Sequence, residues 1–163
     1  MDGSNAAMKE NQTTIIRNCA RAVIIRDGAI LLLHKQNPSY GTRYVLPGGA
    51  QDETETLKAA LLRECQEELG TRVMVGDLLC VAENFKPKST DQNLIKHSIE
   101  FLFYCEVPVD YVAANGPAPD KNQTDVFWLP LRDLATAPIF PVDLRQILTD
   151  NAAKQPLYLG QIT

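Results

Sequence analysis

The chain is poor in the features that would point to several common functions. Its four cysteines, Cys19, Cys65, Cys80 and Cys105, are scattered, form no CxxC pair, and three of them lie in apolar segments. Reduced, buried thiols follow, and neither a disulfide framework nor a zinc site is expected. No apolar run approaches bilayer-spanning length, so no membrane partner is expected. The first residues, MDGSNAAMKENQ, are polar and lack the apolar centre of a signal peptide. A cytoplasmic location is therefore the expectation. Positive charge is not in excess either: 16 Lys and Arg stand against 20 Asp and Glu, a net charge of −4. Such a balance gives no overall basic field for a nucleic-acid polymer. The two histidines, His34 and His97, flank apolar runs and read as surface or edge residues rather than ligands.

What is present suits one globular unit. At 163 residues, with 45% hydrophobic and 22% charged, the chain can bury a substantial core. Residues 14–163 are expected to form a single domain, with 1–13 disordered or loosely tethered. Two apolar runs between Ile15 and His34 flank Asp27-Gly28, a dipeptide suited to a type I′ hairpin turn. A loop is expected from Gln36 to Tyr44, a strand from Arg72 to Glu83, and a polar loop from Lys86 to Asn93. Lys96 to Val107 alternates, with Ile99, Phe101, Phe103 and Cys105 on one face. Its other face, with Ser98, Glu100, Leu102, Tyr104 and Glu106, is mixed and suited to line a cleft. A loop from Pro108 to Asn122, a short strand at Asp125–Pro130, a helical turn at Leu131–Leu134 and a final helix at 142–151 complete the reading. Strands on either side of a central helix, with another helix at the end, fit an α/β sandwich around a mixed sheet.

The informative segment is GAQDETETLKAALLRECQEELG, Gly49 to Gly70, preceded by Leu46-Pro47-Gly48. Thr56 to Leu69 reads as a helix that stops at Gly70. At about 100° per residue, Leu57, Leu61, Leu62, Cys65 and Leu69 share an apolar face. Glu64 and Glu68 lie at its edge, with Glu67 one turn along from Glu64 on the outer flank. Anions crowded beside a buried stripe repel one another and lose water. A hard divalent cation with oxygen ligands removes that conflict, and Mg²⁺ would leave positions open for phosphates.

The spacing is glycine, five residues, glutamate, seven residues, Arg-Glu, two residues, Glu-Glu, one residue, glycine. It resembles the signature of the Nudix hydrolases. The resemblance implies the Nudix α/β/α sandwich around a mixed β-sheet. It also implies Mg²⁺-dependent cleavage, with Mn²⁺ as a substitute, of a diphosphate linkage in a small nucleotide-type substrate: a nucleoside triphosphate, a nucleotide sugar or an ADP-ribose type. Matched position by position, Glu64, Glu67 and Glu68 are metal ligands, and in some members one of them acts as base. Gly48 matches the glycine whose carbonyl often completes the metal shell. Gly49, Glu55 and Arg63 match positions that support the catalytic loop. Cys65 and Thr71 depart from the pattern, where the family has larger apolar residues.

The proton acceptor stays open among Glu64, Glu100, Asp120 and Asp125. Arg21, Arg43 and Tyr44 are the candidates for substrate contact, and Lys35, Lys86 and Lys88 for steering an anion. Apolar edge strands suit a homodimer. The competing reading is a catalytically silent nucleotide sensor on the same fold.

Overall fold

The computed structural model describes residues 12–88, 90–149 and 156–163. Nine strands and two α-helices occur among them. In chain order they are β1 (Thr13–Val23), β2 (Ile25–Arg26), β3 (Ala29–Asn37), β4 (Gly41–Val45), β5 (Gly48–Ala50), α1 (Leu57–Leu69), β6 (Met74–Lys88), β7 (Asp91–Glu106), β8 (Gln123–Pro130), α2 (Leu144–Thr149) and β9 (Tyr158–Gln161). A five-stranded mixed sheet runs β5-β1-β7-β6-β9; β1 and β7 are parallel, as are β6 and β9. A second, antiparallel sheet is built on β3, which pairs with β2, β4 and β8.

Period-two alternation sorts the strands between two cores. Ala20 and Ala22 of β1, Leu31 and Leu33 of β3, and Phe103 and Cys105 of β7 pack on Leu61, Cys65 and Leu69 of α1. Their alternates Val23, Ile30, Leu32 and Leu102 point the other way and pack with Leu144 and Ile147 of α2. The helices thus serve opposite faces, the α/β/α arrangement expected from sequence. Each fully buried leucine on α1 contributes roughly 1.5–3 kcal/mol relative to exposure. All four cysteines are free and buried. No described helix is long and apolar enough to cross a membrane.

Local signals at turns and caps operate as their residues suggest. Asp27 and Gly28 both take positive φ, 52° and 75°, as a type I′ turn requires. Thr56 caps α1 by accepting the Ala59 N–H at 3.1 Å, and Gly70 closes it in the left-handed region.

Several boundaries differ from expectation, each for a tertiary reason. The stretch read as a loop from Gln36 to Tyr44 is a hairpin: His34 pairs with Tyr44 and Gln36 with Thr42. The polar segment from Lys86 to Asn93 extends a second hairpin, in which Lys86 pairs with Lys96 and Lys88 with Asp91. Both segments are polar because their strands reach beyond the core. Backbone pairing, not burial, keeps them extended. β6 begins at Met74 rather than Arg72. α2 spans six residues, Leu144–Thr149, shorter than the helix expected over 142–151, whose last two residues lie outside those described. β9 was not anticipated; its four residues gain strand geometry by pairing with β6. The N-terminal segment expected to be loose lies outside the described residues apart from Gln12 and Thr13, and Thr13 already pairs with Leu94.

Replacing Thr56 by Ala removes the side-chain cap and should cost about 1 kcal/mol of stability. Urea denaturation should show a lower midpoint with an unchanged slope.

Candidate active site

The apolar stripe of α1 carries one residue that does not belong to it chemically. Glu68 is 2% exposed, buried beside Leu61, Cys65 and Leu69. Its Oε2 accepts the Gly48 N–H at 2.8 Å. Burial pushes its carboxyl up to about 8, only partly offset by the Gly48 bond and by Lys35 and Arg21, while Glu64 adds to the rise. The neighbouring glycines allow no side chain. Gly48 has φ +124°, and a Cβ there would sit 2.1 Å from the Ala20 carbonyl oxygen. At Gly49 a Cβ would fall 2.5 Å from the Glu64 carboxyl.

β5 pairs with β1 so that Gly48 lies opposite Arg21. The Arg21 guanidinium donates to the Gly48 carbonyl at 2.8 Å and to Glu100 Oε2 at 2.8 Å. Burial works against the Arg21 charge, but Glu100 outweighs it and holds the guanidinium firmly protonated. Arg63 ties the loop to the helix. It donates to Glu55 Oε1 at 2.7 Å, to the Ala50 carbonyl at 3.0 Å and to Glu64 Oε1 at 3.0 Å. Its bond to Glu55, the largest influence on either group, depresses the Glu55 carboxyl and raises the guanidinium. Glu67 stands 3.6 Å from Arg63.

A cleft of about 570 Å³ opens over this turn, with Arg21, Gly48, Gly49, Glu64, Glu68 and Glu100 in its wall. The mixed face of β7 expected to line a cleft does so through Ser98, Glu100 and Leu102, but Tyr104 and Glu106, further along the strand, are not in the lining. Arg43 also faces it. Tyr44 is not in the lining; it packs edge-on to Phe127 at 4.7 Å. Asp120 reaches the cleft paired with Lys35, which helps keep its carboxyl below the usual range against the opposing effect of burial. Asp125 is exposed outside the lining and accepts the Val126 N–H at 2.9 Å.

Several contributors are not apparent from sequence. The loop after β7 caps the exposed carbonyls of the α1 C-terminus. Gly116 N–H donates to the Glu68 carbonyl at 2.9 Å, Ala118 N–H to that of Glu67 at 3.0 Å, and Tyr111 Oη to that of Leu69 at 3.2 Å. The Gln123 amide also reaches the Glu68 carbonyl, at 2.9 Å. A Cβ on Gly116 would sit 2.3 Å from the Glu67 carbonyl oxygen, so only glycine approaches that closely. The glycine and proline content of this loop signals irregular backbone but not its target.

The donor set suits a hard divalent ion: three carboxylates and a carbonyl, all oxygen, with one carboxylate buried and short of positive charge. As arranged here, Glu64 and Glu67 face Arg63, and among the described residues no three acidic, His or Cys side chains converge on one point.

The raised Glu68 carboxyl makes stability pH-dependent in metal-free protein. Its folded-state pKa, about 8, exceeds the ordinary value of 4.5. Between these values the native state binds the extra proton, so stability falls as pH rises and levels off above the upper one. Urea denaturation with chelator at pH 5 and pH 8 should show this decline in the native sequence and a smaller one in Glu68→Gln.

The NUDIX domain sequence profile matches residues 16–150. A curated relative, an ADP-ribose pyrophosphatase of Methanocaldococcus jannaschii, is 31% identical over 108 residues. That match takes in 66% of this chain and 61% of the relative, so the chain spans less than two thirds of that protein. A NUDIX hydrolase from Nitrosomonas europaea superposes with a TM-score of 0.66 at 17% identity, over 85% of this chain and 90% of its own. A MutT NUDIX hydrolase from Burkholderia pseudomallei gives 0.59 at 26% identity, over 84% and 99%. Matched across most of its length and carrying the acidic helix beside the glycine turn, the chain belongs to the Nudix family.

Proposed function

We propose that this chain, as one domain over residues 14–163, is a Mg²⁺-dependent pyrophosphohydrolase that cleaves the P–O–P linkage of a nucleoside diphosphate derivative. The observation that carries the reading is Glu68: a carboxylate buried in apolar surroundings, tied to Gly48 and opening onto a cleft. Such a group is costly without a cation. Glu64, Glu67, Glu68 and the Gly48 carbonyl would hold the ion, which when bound neutralises phosphate charge and acidifies a water.

The protein's own part is placement. Gly48 and Gly49, without side chains, let the diphosphate approach the backbone. Arg63 and Glu55 hold the loop against α1, and Arg21 sets the Gly48 carbonyl. Glu64, in the cleft wall, is the first choice to take the proton of the attacking water. Glu100 and Asp120 also reach the cleft, each already paired with a cation. Arg43 at the rim is placed to meet the substrate's anionic part. The ADP-ribose pyrophosphatase relative favours substrates of that type.

A panel of nucleoside triphosphates, nucleotide sugars and ADP-ribose with Mg²⁺, run in ¹⁸O-water, should give one class of product and label one phosphorus. Glu68→Gln should lower kcat roughly a hundredfold or more while circular dichroism stays native. Near-normal turnover in that variant removes Glu68 from the site. Nucleotide binding without turnover on any substrate would instead support the sensor reading.

A further inference from the structure

Away from the glycine turn, the cleft wall is crowded with cations. Arg21 and Lys35 are matched by Glu100 and Asp120. Arg17, Arg43, Lys86, Lys88 and Lys96 line the same cleft, and among the described residues none of the five makes an ion pair. Register concentrates them. Lys86 on β6 stands directly opposite Lys96 on β7. Like charges facing each other across an antiparallel pair destabilise a sheet. Arg17 on β1 is level with Ser98 of β7, one alternate position along from Lys96. Across the cleft the Arg43 guanidinium lies 4.1 Å from both the Tyr40 and Phe140 ring centroids, and Lys86 Nζ is 4.9 Å from the same Phe140 ring. Close packing around Lys86, with Arg43, Lys96, Lys35 and Arg21 nearby, lowers its pKa.

Isolated loop lysines only solvate a surface. These sit on paired strands in a concave wall, where their mutual repulsion stays uncompensated until an anion arrives. The far end of the strip also lies away from the glycine turn. Arg17 and Arg21 are four residues apart on β1, about 13 Å at strand rise. A diphosphate lying against Gly48 spans only part of that interval, which leaves the Arg17 end of the strip to a different anionic group.

We propose that the strip formed by Arg17, Lys86 and Lys96, with Arg43 opposite, binds an additional phosphate on the part of the substrate beyond the scissile diphosphate. The preferred substrate is then a nucleoside diphosphate derivative that also carries a phosphomonoester. This proposal rests on the hydrolase reading above, and the experiment separates the two. With Mg²⁺, kcat/KM is compared within three matched pairs: 2′-phospho-ADP-ribose and ADP-ribose, NADPH and NADH, and coenzyme A and its dephospho form. At least one phosphorylated member should be favoured roughly ten- to hundredfold. In the Lys86→Gln/Lys96→Gln double variant that ratio should fall towards one, with a melting temperature no lower than the native one because a like-charge pair is gone. Calorimetry on metal-free protein adds a binding readout: adenosine bisphosphates should bind more tightly than AMP, and the double variant should lose the difference.

A phosphate preference absent from all three pairs, or undiminished in the variant, overturns the strip and leaves the hydrolase intact. If no diphosphate is cleaved but the bisphosphate preference appears and depends on the lysines, the hydrolase reading fails and the strip stands.

Discussion

Gly48 is held from both sides, by a buried carboxyl and by a guanidinium. Its N–H is taken by Glu68 from α1 and its carbonyl by Arg21 from β1, each at 2.8 Å. Gly48 can serve both because its N–H and carbonyl lie on successive peptide planes, joined here at φ +124°, and because no Cβ blocks the approach to Ala20. Helix, sheet and loop are therefore registered to one another at a single residue. The bond from Arg21 is charge-assisted, and such bonds in a low-dielectric setting are stronger than neutral ones, so the loop is fixed before any ligand arrives. That fixation is the main condition for a site that acts by positioning rather than by covalent chemistry.

The same arrangement leaves a deficit. Glu68 receives one backbone donor in a setting that disfavours its charge, and its carboxyl rises to about 8. The cations nearest the turn are already engaged: Arg21 on Glu100, Lys35 on Asp120, Arg63 on Glu55 and Glu64. These pairs keep the surrounding charges balanced, so the uncompensated anion is local to the helix and glycine turn. A bound divalent ion would complete the balance there without disturbing the network that holds the loop.

Much of this was legible in the chain, for local reasons. Between Gly49 and Gly70, spacing along one helix was enough to set Glu64 and Glu68 at the edge of the apolar face, while the pairing of Arg63 with Glu55 was implied by the family resemblance. The Asp27-Gly28 turn and the Thr56 and Gly70 caps are equally short-range. Legibility fails where partners are distant in sequence. Arg21 meets Glu100 across 79 residues and Lys35 meets Asp120 across 85, through strand pairings no local pattern encodes. Tyr44 follows Arg43 in the chain yet faces the core, because neighbours on a strand point to opposite sides. Polar strands such as 86–88 lack an apolar face and so read as loop, although backbone pairing holds them extended.

Net charge illustrates the same limit at the level of the whole molecule. A sum of −4 argues against a broad basic surface, but it averages over all directions and says nothing about one concavity. The sheet order brings β1, β7 and β6 side by side, so alternate residues of three separate segments share one wall. Acidic residues at the helix end and cations toward the end of the β6–β7 hairpin give that wall an internal polarity. On the proposed reading, an acidic protein presents an extended anion with two unlike surfaces: one that would hold a metal for it, and one that would meet it directly. On that reading the difference orients a long polyphosphorylated ligand, whose diphosphate would meet the ion at Glu68 while its further phosphate relieves Lys86 facing Lys96.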